Sequence, residues 1–214
     1  MKVVIAGAAG KIGSKTASLL IEAGHEVRGL ARKDEQLNEL KGLGAQPFRL
    51  DLEADEASRI DEAVRGCDAT VFSAGAGPGS GDARKETMDY GGAVKLIEAA
   101  GREGVKRYVL VSSMGYADPG GRGKMENYTL AKLKADVALQ TSDLDYTVVR
   151  PGKLNDKEGT GSIDAAVQLG RYDEIPRADV AAAIVAVLEL ENTVRRSFEV
   201  LSGDTSVREA IAGI

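Results

Sequence analysis

The chain has 214 residues and a formal net charge of −5, with 43% hydrophobic and 29% charged residues. These values fit a globular chain of about one domain with a substantial core. The acidic balance argues against a nucleic-acid-binding surface, and the 4% aromatic content without tryptophan argues against a base-stacking platform. The single cysteine, Cys67, and the single histidine, His25, exclude a disulfide framework and a metal cluster rich in either residue. We therefore expect no bound metal and no nucleic-acid partner.

The amino terminus carries a short apolar run, Val3–Ala6, which ends at Gly7. This run is too short for a secretory signal or a membrane span. No later segment reaches about 18 uninterrupted apolar residues. The sequence thus predicts a cytoplasmic protein without a membrane partner.

Short β-branched runs alternate along the chain with longer amphipathic stretches, as in strand–helix–strand units. The predicted strands are Lys2–Ala6, Glu26–Ala31, Gln46–Leu50, Ala69–Ser73, Tyr108–Ser112, Tyr146–Arg150 and Phe198–Leu201. The predicted helices are Ile12–Ala23, Asp34–Lys41, Glu56–Arg65, Met88–Arg102, Tyr128–Thr141 and Ala178–Leu190. Several strands are almost wholly apolar, which is typical of parallel strands covered on both faces. The pattern predicts an α/β fold with a doubly wound, mainly parallel sheet of about seven strands, helices on both faces and a small C-terminal cap.

The whole chain, 1–214, is predicted to form a single domain, because no linker or internal repeat divides it. Residues 152–177 are its least regular part and follow the sixth predicted strand. Open α/β sheets bind ligands outside the carboxyl ends of their strands, so this segment is predicted to lie on the substrate side. The alternative is an ordinary solvated connection.

A glycine motif follows the first predicted strand directly and opens the first predicted helix. In its G-x-x-G-x-x-G spacing, Gly7 allows the tight turn, Gly10 the close approach of a pyrophosphate, and Gly13 the close packing of helix on strand. Amide groups at the start of the helix favour the diphosphate. The motif predicts a Rossmann-type NAD(P)-binding domain in which the cofactor contacts are Gly7, Ala9, Gly10, Lys11, Ile12 and Gly13.

The ends of the second and third predicted strands indicate which dinucleotide binds. NAD-binding folds usually place a carboxylate at the end of the second strand, whereas this chain has Arg32 and Lys33, which suit a 2′-phosphate. We expect NADP(H) rather than NAD, with a solvent-facing basic pair as the alternative. Asp51 and Leu52 end the third strand, where the carboxylate of Asp51 can meet the adenine amino group. Asp51 could equally be the N-cap of the next helix.

The fourth predicted strand ends in small residues, and the fifth ends in two serines. Ala74, Gly75 and Ala76 would let the backbone pass under the ribose and diphosphate without a Cβ clash. Ser112 and Ser113 carry hydroxyl groups at the same edge of the sheet. We expect the small residues to bind cofactor and a serine to hold the substrate oxygen.

A tyrosine and a lysine follow on one helix face, at Tyr128 and Lys132. A cation beside a phenol stabilises the phenolate, which makes the phenol a better general acid–base group at neutral pH. The spacing Y-x-x-x-K alone also arises by chance in helices. After a glycine motif and a Ser-Ser strand end, it predicts a catalytic pair.

These motifs, together with Leu144–Gly152 and Ile175–Ala181, resemble the short-chain dehydrogenase/reductase superfamily. The resemblance is to its small atypical NAD(P)H-binding members, which are epimerase/dehydratase-like and include relatives of flavin and biliverdin reductases and of NmrA-type proteins. It extends to about residue 205. It implies that Tyr128 is the acid/base, that Lys132 is its partner and contacts the nicotinamide ribose, and that Ser113 is the catalytic serine with Ser112 as runner-up. It also implies a nicotinamide-side lining by Pro151, Gly152, Lys153 and Leu154.

The resemblance implies an NADP(H)-dependent oxidoreductase that transfers hydride to a small carbonyl compound or another small acceptor. One alternative is a non-catalytic NADP-binding redox sensor, against which the complete Ser/Tyr/Lys set argues. A second is a sugar-nucleotide epimerase or dehydratase. Only 62 residues follow Gly152, which leaves little chain to hold a nucleotide sugar.

Overall fold

The computed structural model describes residues 1–77, 79–114 and 126–214, and of Glu126 only the backbone. Its strands are β1 (Lys2–Ala6), β2 (Glu26–Ala31), β3 (Gln46–Arg49), β4 (Ala69–Phe72), β5 (Arg107–Val111), β6 (Asp145–Pro151), β7 (Lys153–Asn155), β8 (Ser162–Ala166), β9 (Glu174–Pro176), β10 (Arg196–Ser202) and β11 (Thr205–Ser206). Its helices are α1 (Gly13–Glu22), α2 (Asp34–Gly42), α3 (Ala57–Val64), α4 (Asp82–Arg84), α5 (Ala93–Arg102), α6 (Glu126–Gln140), α7 (Arg177–Glu189) and α8 (Val207–Ala212). A π-helical segment, Lys85–Gly92, joins α4 to α5.

The strands form a main sheet in the order β11-β8-β10-β6-β5-β4-β1-β2-β3. The run from β3 to β10 is parallel throughout, whereas β8 and β11 add antiparallel pairs at one edge. The chain therefore winds outward in both directions from β1 and β4, and the predicted doubly wound α/β fold is confirmed. The parallel part has seven strands, and the whole sheet has nine in the described part of the chain.

Both faces of the sheet are covered, which explains the wholly apolar strands. Val3 and Ile5 of β1 belong to a core shared with α1, α7 and α8, and Val4 and Ala6 belong to the opposite core shared with α3, α5 and α6. All four side chains are at most 1% exposed. A strand buried on both sides therefore reads as a nearly continuous apolar run.

The segment predicted to be irregular, 152–177, contains three short strands. β7 and β9 pair with each other in a separate two-stranded sheet, and β8 pairs with β10 at the edge of the main sheet. In β8, Ile163 is buried while Ser162 and Asp164 are half-buried. Such a short strand takes its stability from pairing with β10 on one side and β11 on the other, and not from its own residues.

No helix in residues 1–77, 79–114 and 126–214 is both long and apolar enough to cross a membrane.

Candidate cofactor-binding and active site

The glycine motif forms a tight turn between β1 and α1. Gly7 has a positive φ of 81°, and its carbonyl oxygen accepts a 2.8 Å hydrogen bond from the Gly10 amide. A Cβ on Gly7 would lie 2.7 Å from the backbone nitrogen of Ala74, and a Cβ on Gly13 would collide with the carbonyl oxygen of Gly7. The turn therefore needs glycine at both ends, and the backbone after β4 packs directly against it.

The start of α1 lies next to this turn, and in its first turn the Ser14 amide donates to the Gly10 carbonyl. No described side chain caps the helix, and its first turn contains no acidic residue. Ile12 and Gly13 are buried, Ala9 is half-buried, and Gly10 and Lys11 are exposed. Uncapped amides at the positive end of a helix bind anions. The backbone of the turn and the ammonium of Lys11 therefore fit a dinucleotide diphosphate.

A carboxylate from the segment after β7 reaches this turn. Asp156 accepts a 2.5 Å hydrogen bond from the Lys11 ammonium and lies 2.6 Å from the guanidinium of Arg177, the first residue of α7. The hydrogen bond from Lys11 holds the pKa of Asp156 below its ordinary value, against the opposing effect of burial. Sequence reasoning missed Asp156 and Arg177, because only the fold brings their loops to the glycine motif.

Arg32 lies at the end of β2 among carboxylates. Its guanidinium is 3.5 Å from both Asp51 and Glu53, and 43% of its side chain is exposed. Lys33 is exposed and precedes α2 as its N-cap residue. An exposed guanidinium at this position is able to hold a phosphate by charge-assisted hydrogen bonds.

Asp51 lies two residues after the end of β3 and does not cap a helix. Its Oδ1 accepts a 2.9 Å hydrogen bond from the Glu53 amide, and α3 begins only at Ala57, after Glu56 at the N-cap. The N-cap alternative for Asp51 is therefore wrong, since a polar turn separates it from the helix. Leu52 is buried in the core beneath α5.

Glu53, which sequence reasoning missed, gathers contacts on this side of the site. It accepts hydrogen bonds from Thr87 at 2.6 Å and Arg84 at 3.1 Å. Burial alone would raise the pKa of Glu53, but these two partners outweigh it and hold the pKa below its ordinary value. Arg32 thus faces a carboxylate that Arg84 already neutralises in part.

The small residues after β4 surround another carboxylate, Asp89. Ala74 and Ala76 are buried, and Gly75 is exposed. The Ala76 amide donates a 3.0 Å hydrogen bond to Asp89 Oδ2, and a Cβ on Gly75 would lie 2.9 Å from Asp89 Oδ1. The backbone here runs close to the carboxylate because it lacks side chains.

Lys132 lies on the buried face of α6 at the ends of β4 and β5. Its side chain is 6% exposed, and its ammonium is 3.3 Å from Asp89 Oδ1 and 3.3 Å from the Val111 carbonyl oxygen. The centre of the half-buried Tyr128 ring is 5.9 Å from the same ammonium. The structure therefore brings the tyrosine and the lysine together beside the backbone that follows β4.

The two serines differ in exposure. Ser112 is 4% exposed, and its hydroxyl lies in the interior beneath α6, whereas Ser113 is half-buried. The backbone between them is held to β6, because Ser112 donates to the Val149 carbonyl and Met114 to the Pro151 carbonyl. Ser113 is therefore the more exposed of the two serines.

The end of β6 is closely packed before the chain becomes exposed. Pro151 and Gly152 are buried, and a Cβ on Gly152 would collide with the carbonyl oxygen of Asp173. Leu154 is half-buried. Lys153 is exposed, and its ammonium lies 2.8 Å from Glu174. The Lys153 hydrogen bond is the main cause that lowers the pKa of Glu174 to about 2.

A buried ion pair fixes α6 to β6 one turn beyond Lys132. Asp136 is fully buried, and its Oδ2 is 3.0 Å from Nε of Arg150. Burial raises the pKa of Asp136, although Ser112, Arg150 and Lys132 act in the opposite direction. The helix that carries Tyr128 and Lys132 is thereby tied to the strand that ends at Pro151.

A doubly wound sheet with an uncapped glycine turn and a Tyr/Lys helix defines a dinucleotide-binding protein of the Rossmann class. The chain belongs to the NAD(P)H-binding family, whose model matches residues 7–191. The resemblance found in the sequence is thus confirmed.

Individual relatives span nearly the whole chain. An uncharacterized sugar epimerase, YhfK, of Bacillus subtilis is 38% identical over 99% of both chains. Sanguinarine reductase of Eschscholzia californica is 29% identical over 98% of this chain and 92% of its own. The structure of a putative NAD-dependent epimerase/dehydratase from Bacillus halodurans matches with a TM-score of 0.93 and 37% identity, over 100% of both chains.

Proposed function

We propose that the protein is an NADPH-dependent reductase that transfers hydride to a small carbonyl compound or another small acceptor. The observation that carries this proposal is the Lys132 ammonium, buried within 5.9 Å of the Tyr128 ring centre at the ends of β4 and β5. A buried ammonium beside a half-buried phenol is suited to stabilising the phenolate left after proton donation. Membership of the NAD(P)H-binding family supports NAD(P)H as the second reactant.

In the proposed reaction, Tyr128, Ser113 and Lys132 have different roles. Bound NADPH supplies the hydride. The hydroxyl of Tyr128 donates the proton to the substrate oxygen, and Ser113 holds that oxygen by a hydrogen bond. Lys132 stabilises the phenolate that forms and contacts the nicotinamide ribose.

The preference for NADPH over NADH is proposed from the charge at the end of β2. Arg32 is exposed and available to a 2′-phosphate, and Lys33 is exposed beside it. The carboxylates Asp51 and Glu53 lie 3.5 Å from the Arg32 guanidinium, so they hold it at this end of the sheet. Glu53 also pairs with Arg84, which reduces its competition for Arg32.

A reductase is favoured over an epimerase by the structure that the residues after Gly152 form. Most of this part forms β8, β10, β11, α7 and α8, which pack on the sheet or on each other. Little of it is left to hold a nucleotide sugar. The relative from E. californica is named a reductase, and the relative from B. subtilis is named an uncharacterized sugar epimerase.

The test is a screen for NADPH oxidation with aldehydes, ketones, quinones and flavins as acceptors. We expect turnover of at least one acceptor and its loss in Tyr128→Phe. Tyr146→Phe is the matched control, because Tyr146 lies near the start of β6, whereas Lys132 lies where β4 and β5 end. Tight NADPH binding without oxidation by any acceptor would contradict the proposal and favour a redox sensor.

A further inference from the structure

The π-helical segment Lys85–Gly92 carries a buried carboxylate that the proposed mechanism does not use. Asp89 lies within this segment and is 1% exposed. π-helical turns are rare and frequently occur at functional sites. A carboxylate buried to this extent is costly unless cations or hydrogen-bond donors replace its lost water. The groups that face Asp89 therefore indicate what it does.

The two oxygens of Asp89 face different parts of the site. Oδ2 accepts a 3.0 Å hydrogen bond from the Ala76 amide, in the small-residue stretch after β4. Oδ1 has no hydrogen-bond partner among the described residues, and the Lys132 ammonium lies 3.3 Å from it. One carboxylate thus links the backbone after β4 with the lysine on α6.

Among the described residues, groups from three neighbouring elements and from α6 itself face Lys132. Asp89 faces it from the π-helical segment, the Val111 carbonyl from β5 and the Phe72 ring from β4. Tyr128 and Asp136 face it from its own helix. An ammonium has three protons to donate. The Val111 carbonyl accepts one of them, and the Asp89 carboxylate holds the charge in an ion pair, so in the part of the chain that the structure describes, protons remain for a ligand.

Gly75 has a second reason to be glycine, apart from room for a cofactor. A Cβ at this position would lie 2.9 Å from Asp89 Oδ1, the oxygen that faces Lys132. A larger residue would therefore push the carboxylate away from the ammonium. The residue after β4 that sequence analysis assigns to the cofactor also makes room for Asp89.

Attaching α6 to the π-helical segment does not require this ion pair. Lys134 of α6 and Glu86 of the segment form an exposed ion pair of 2.7 Å between the same two elements. Asp89 differs from Glu86 in being buried beside the proposed site and in holding the Ala76 backbone.

We propose that Asp89 is a positioning residue, which holds the Lys132 ammonium and the Ala76 backbone in the arrangement that receives the nicotinamide ribose. This inference rests on the role of Lys132 in the proposed function. The ion pair with the carboxylate and the hydrogen bond to the Val111 carbonyl hold the ammonium on one side, so its other side faces the ligand and Tyr128. Without Asp89, the long lysine side chain has several other rotamers to populate.

The test is a double-mutant cycle on NADPH affinity, measured by the fluorescence of the bound nucleotide. The variants are Asp89→Asn, Lys132→Met and the two combined. Asparagine retains an oxygen for the Ala76 amide and turns an NH₂ group towards Lys132, so it removes only the contact with the lysine. The cycle therefore isolates the pair.

Each single variant should weaken NADPH binding about tenfold, the size of one charge-assisted hydrogen bond. The double variant should bind within about twofold of Lys132→Met, because the two residues serve one contact. Glu86→Gln is the matched control and should leave the affinity unchanged. Asp89→Ala should bind more weakly than Asp89→Asn, since it also loses the Ala76 contact.

The pH profile of turnover separates positioning from a merely structural role. In Asp89→Asn, the alkaline limb of the profile should move to lower pH, because loss of a negative charge beside Lys132 favours the phenolate of Tyr128, and Tyr128 must carry its proton to act as the acid. A residue that only stabilises the fold would lower turnover without moving the profile.

Wild-type affinity in Asp89→Asn, or losses that multiply in the double variant, would overturn the inference. Failure of the wild-type protein to bind NADPH would overturn the cofactor assignment and the inference with it. Coupled losses of binding in a protein that reduces no acceptor would support the positioning role and reject the proposed reductase.

Discussion

Lys132 loses nearly all of its contact with water in the folded chain, and oxygens take the place of that water. The Asp89 carboxylate and the Val111 carbonyl each lie 3.3 Å from its ammonium. An ion pair between groups buried to this degree is screened little by salt, unlike a surface pair. At the scale of residues, the site is therefore a fixed arrangement of charges.

Tyr128 and Lys132 should act as one unit. Tyr128→Phe should lower kcat by about 10²–10⁴-fold, the usual effect of removing a positioned acid–base group. Lys132→Met should lower kcat comparably and also weaken NADPH binding. The double variant should be little worse than either single one, because both residues serve the same step. Steady-state kinetics with an acceptor from the screen measure these effects. Near-normal turnover by Tyr128→Phe would show that the tyrosine is not the proton donor.

Arg32 should determine the choice between the two dinucleotides. The wild-type protein should bind NADPH more tightly than NADH, and Arg32→Ala should reduce this difference about tenfold by removing one charge-assisted contact. Titrations with both nucleotides measure it. Arg102→Ala is the control, because Arg102 lies at the end of α5 and pairs with Asp61. Equal affinity of the wild type for both nucleotides would contradict the assignment.

At the scale of elements, the position of α6 depends on contacts at two levels. Asp136 and Arg150 tie the helix to β6, and Lys132 and Asp89 tie it to the π-helical segment one turn earlier. Both acidic and basic partners are largely buried. Breaking a buried pair from one side is more costly than losing an exposed one, because it leaves an uncompensated charge.

Gly13, at the junction of β1 and α1, should be required for packing, whereas a glycine elsewhere in a helix should not. Gly13→Ala should destabilise the fold by about 1–3 kcal/mol and abolish NADPH binding, because the added Cβ collides with the Gly7 carbonyl. Gly101→Ala is the control. Gly101 lies in α5 with nothing within 4 Å of a Cβ, so this change should stabilise by about 0.4–1 kcal/mol. Denaturant unfolding measures both, and equal effects would contradict the packing argument.

At the scale of the whole molecule, the edge of the sheet is completed by the last part of the chain. β10 pairs in parallel with β6, and β8 and β11 follow as antiparallel strands. Buried residues of α7 and α8, such as Ile184 and Ile211, belong to the same core as Ile5 of β1. Residues from both ends of the chain thus share one core, so opening of the fold should be cooperative.

Cys67 should report this opening. It is the only cysteine of the chain, 7% exposed, and burial raises the pKa of its thiol. A thiol reagent should therefore label it only when the structure opens. NADPH at about 100 times its Kd should slow labelling about 100-fold, because the ligand binds only the closed form. A labelling rate that is independent of NADPH would mean that the structure around Cys67 opens without disturbing the cofactor site. The variant Cys67→Ser gives the background of the labelling assay.

The sequence by itself determined the features that depend on neighbouring residues. The apolar runs predicted strands that are buried on both faces, and the spacing of Gly7, Gly10 and Gly13 predicted the glycine turn. The pairing of Tyr128 with Lys132 followed from the geometry of one helix. These patterns are readable because their physical cause lies within a few residues of chain.

Only the tertiary structure decided which distant side chains meet. Nothing near Asp89 in the sequence indicates that it faces Lys132, and nothing near Asp156 indicates that it reaches Lys11. β8 was missed for the same reason, since so short a strand is stabilised by its partners, β10 and β11, and not by its own pattern. Contacts between residues far apart in the chain depend on how helices and strands pack, which no local spacing encodes.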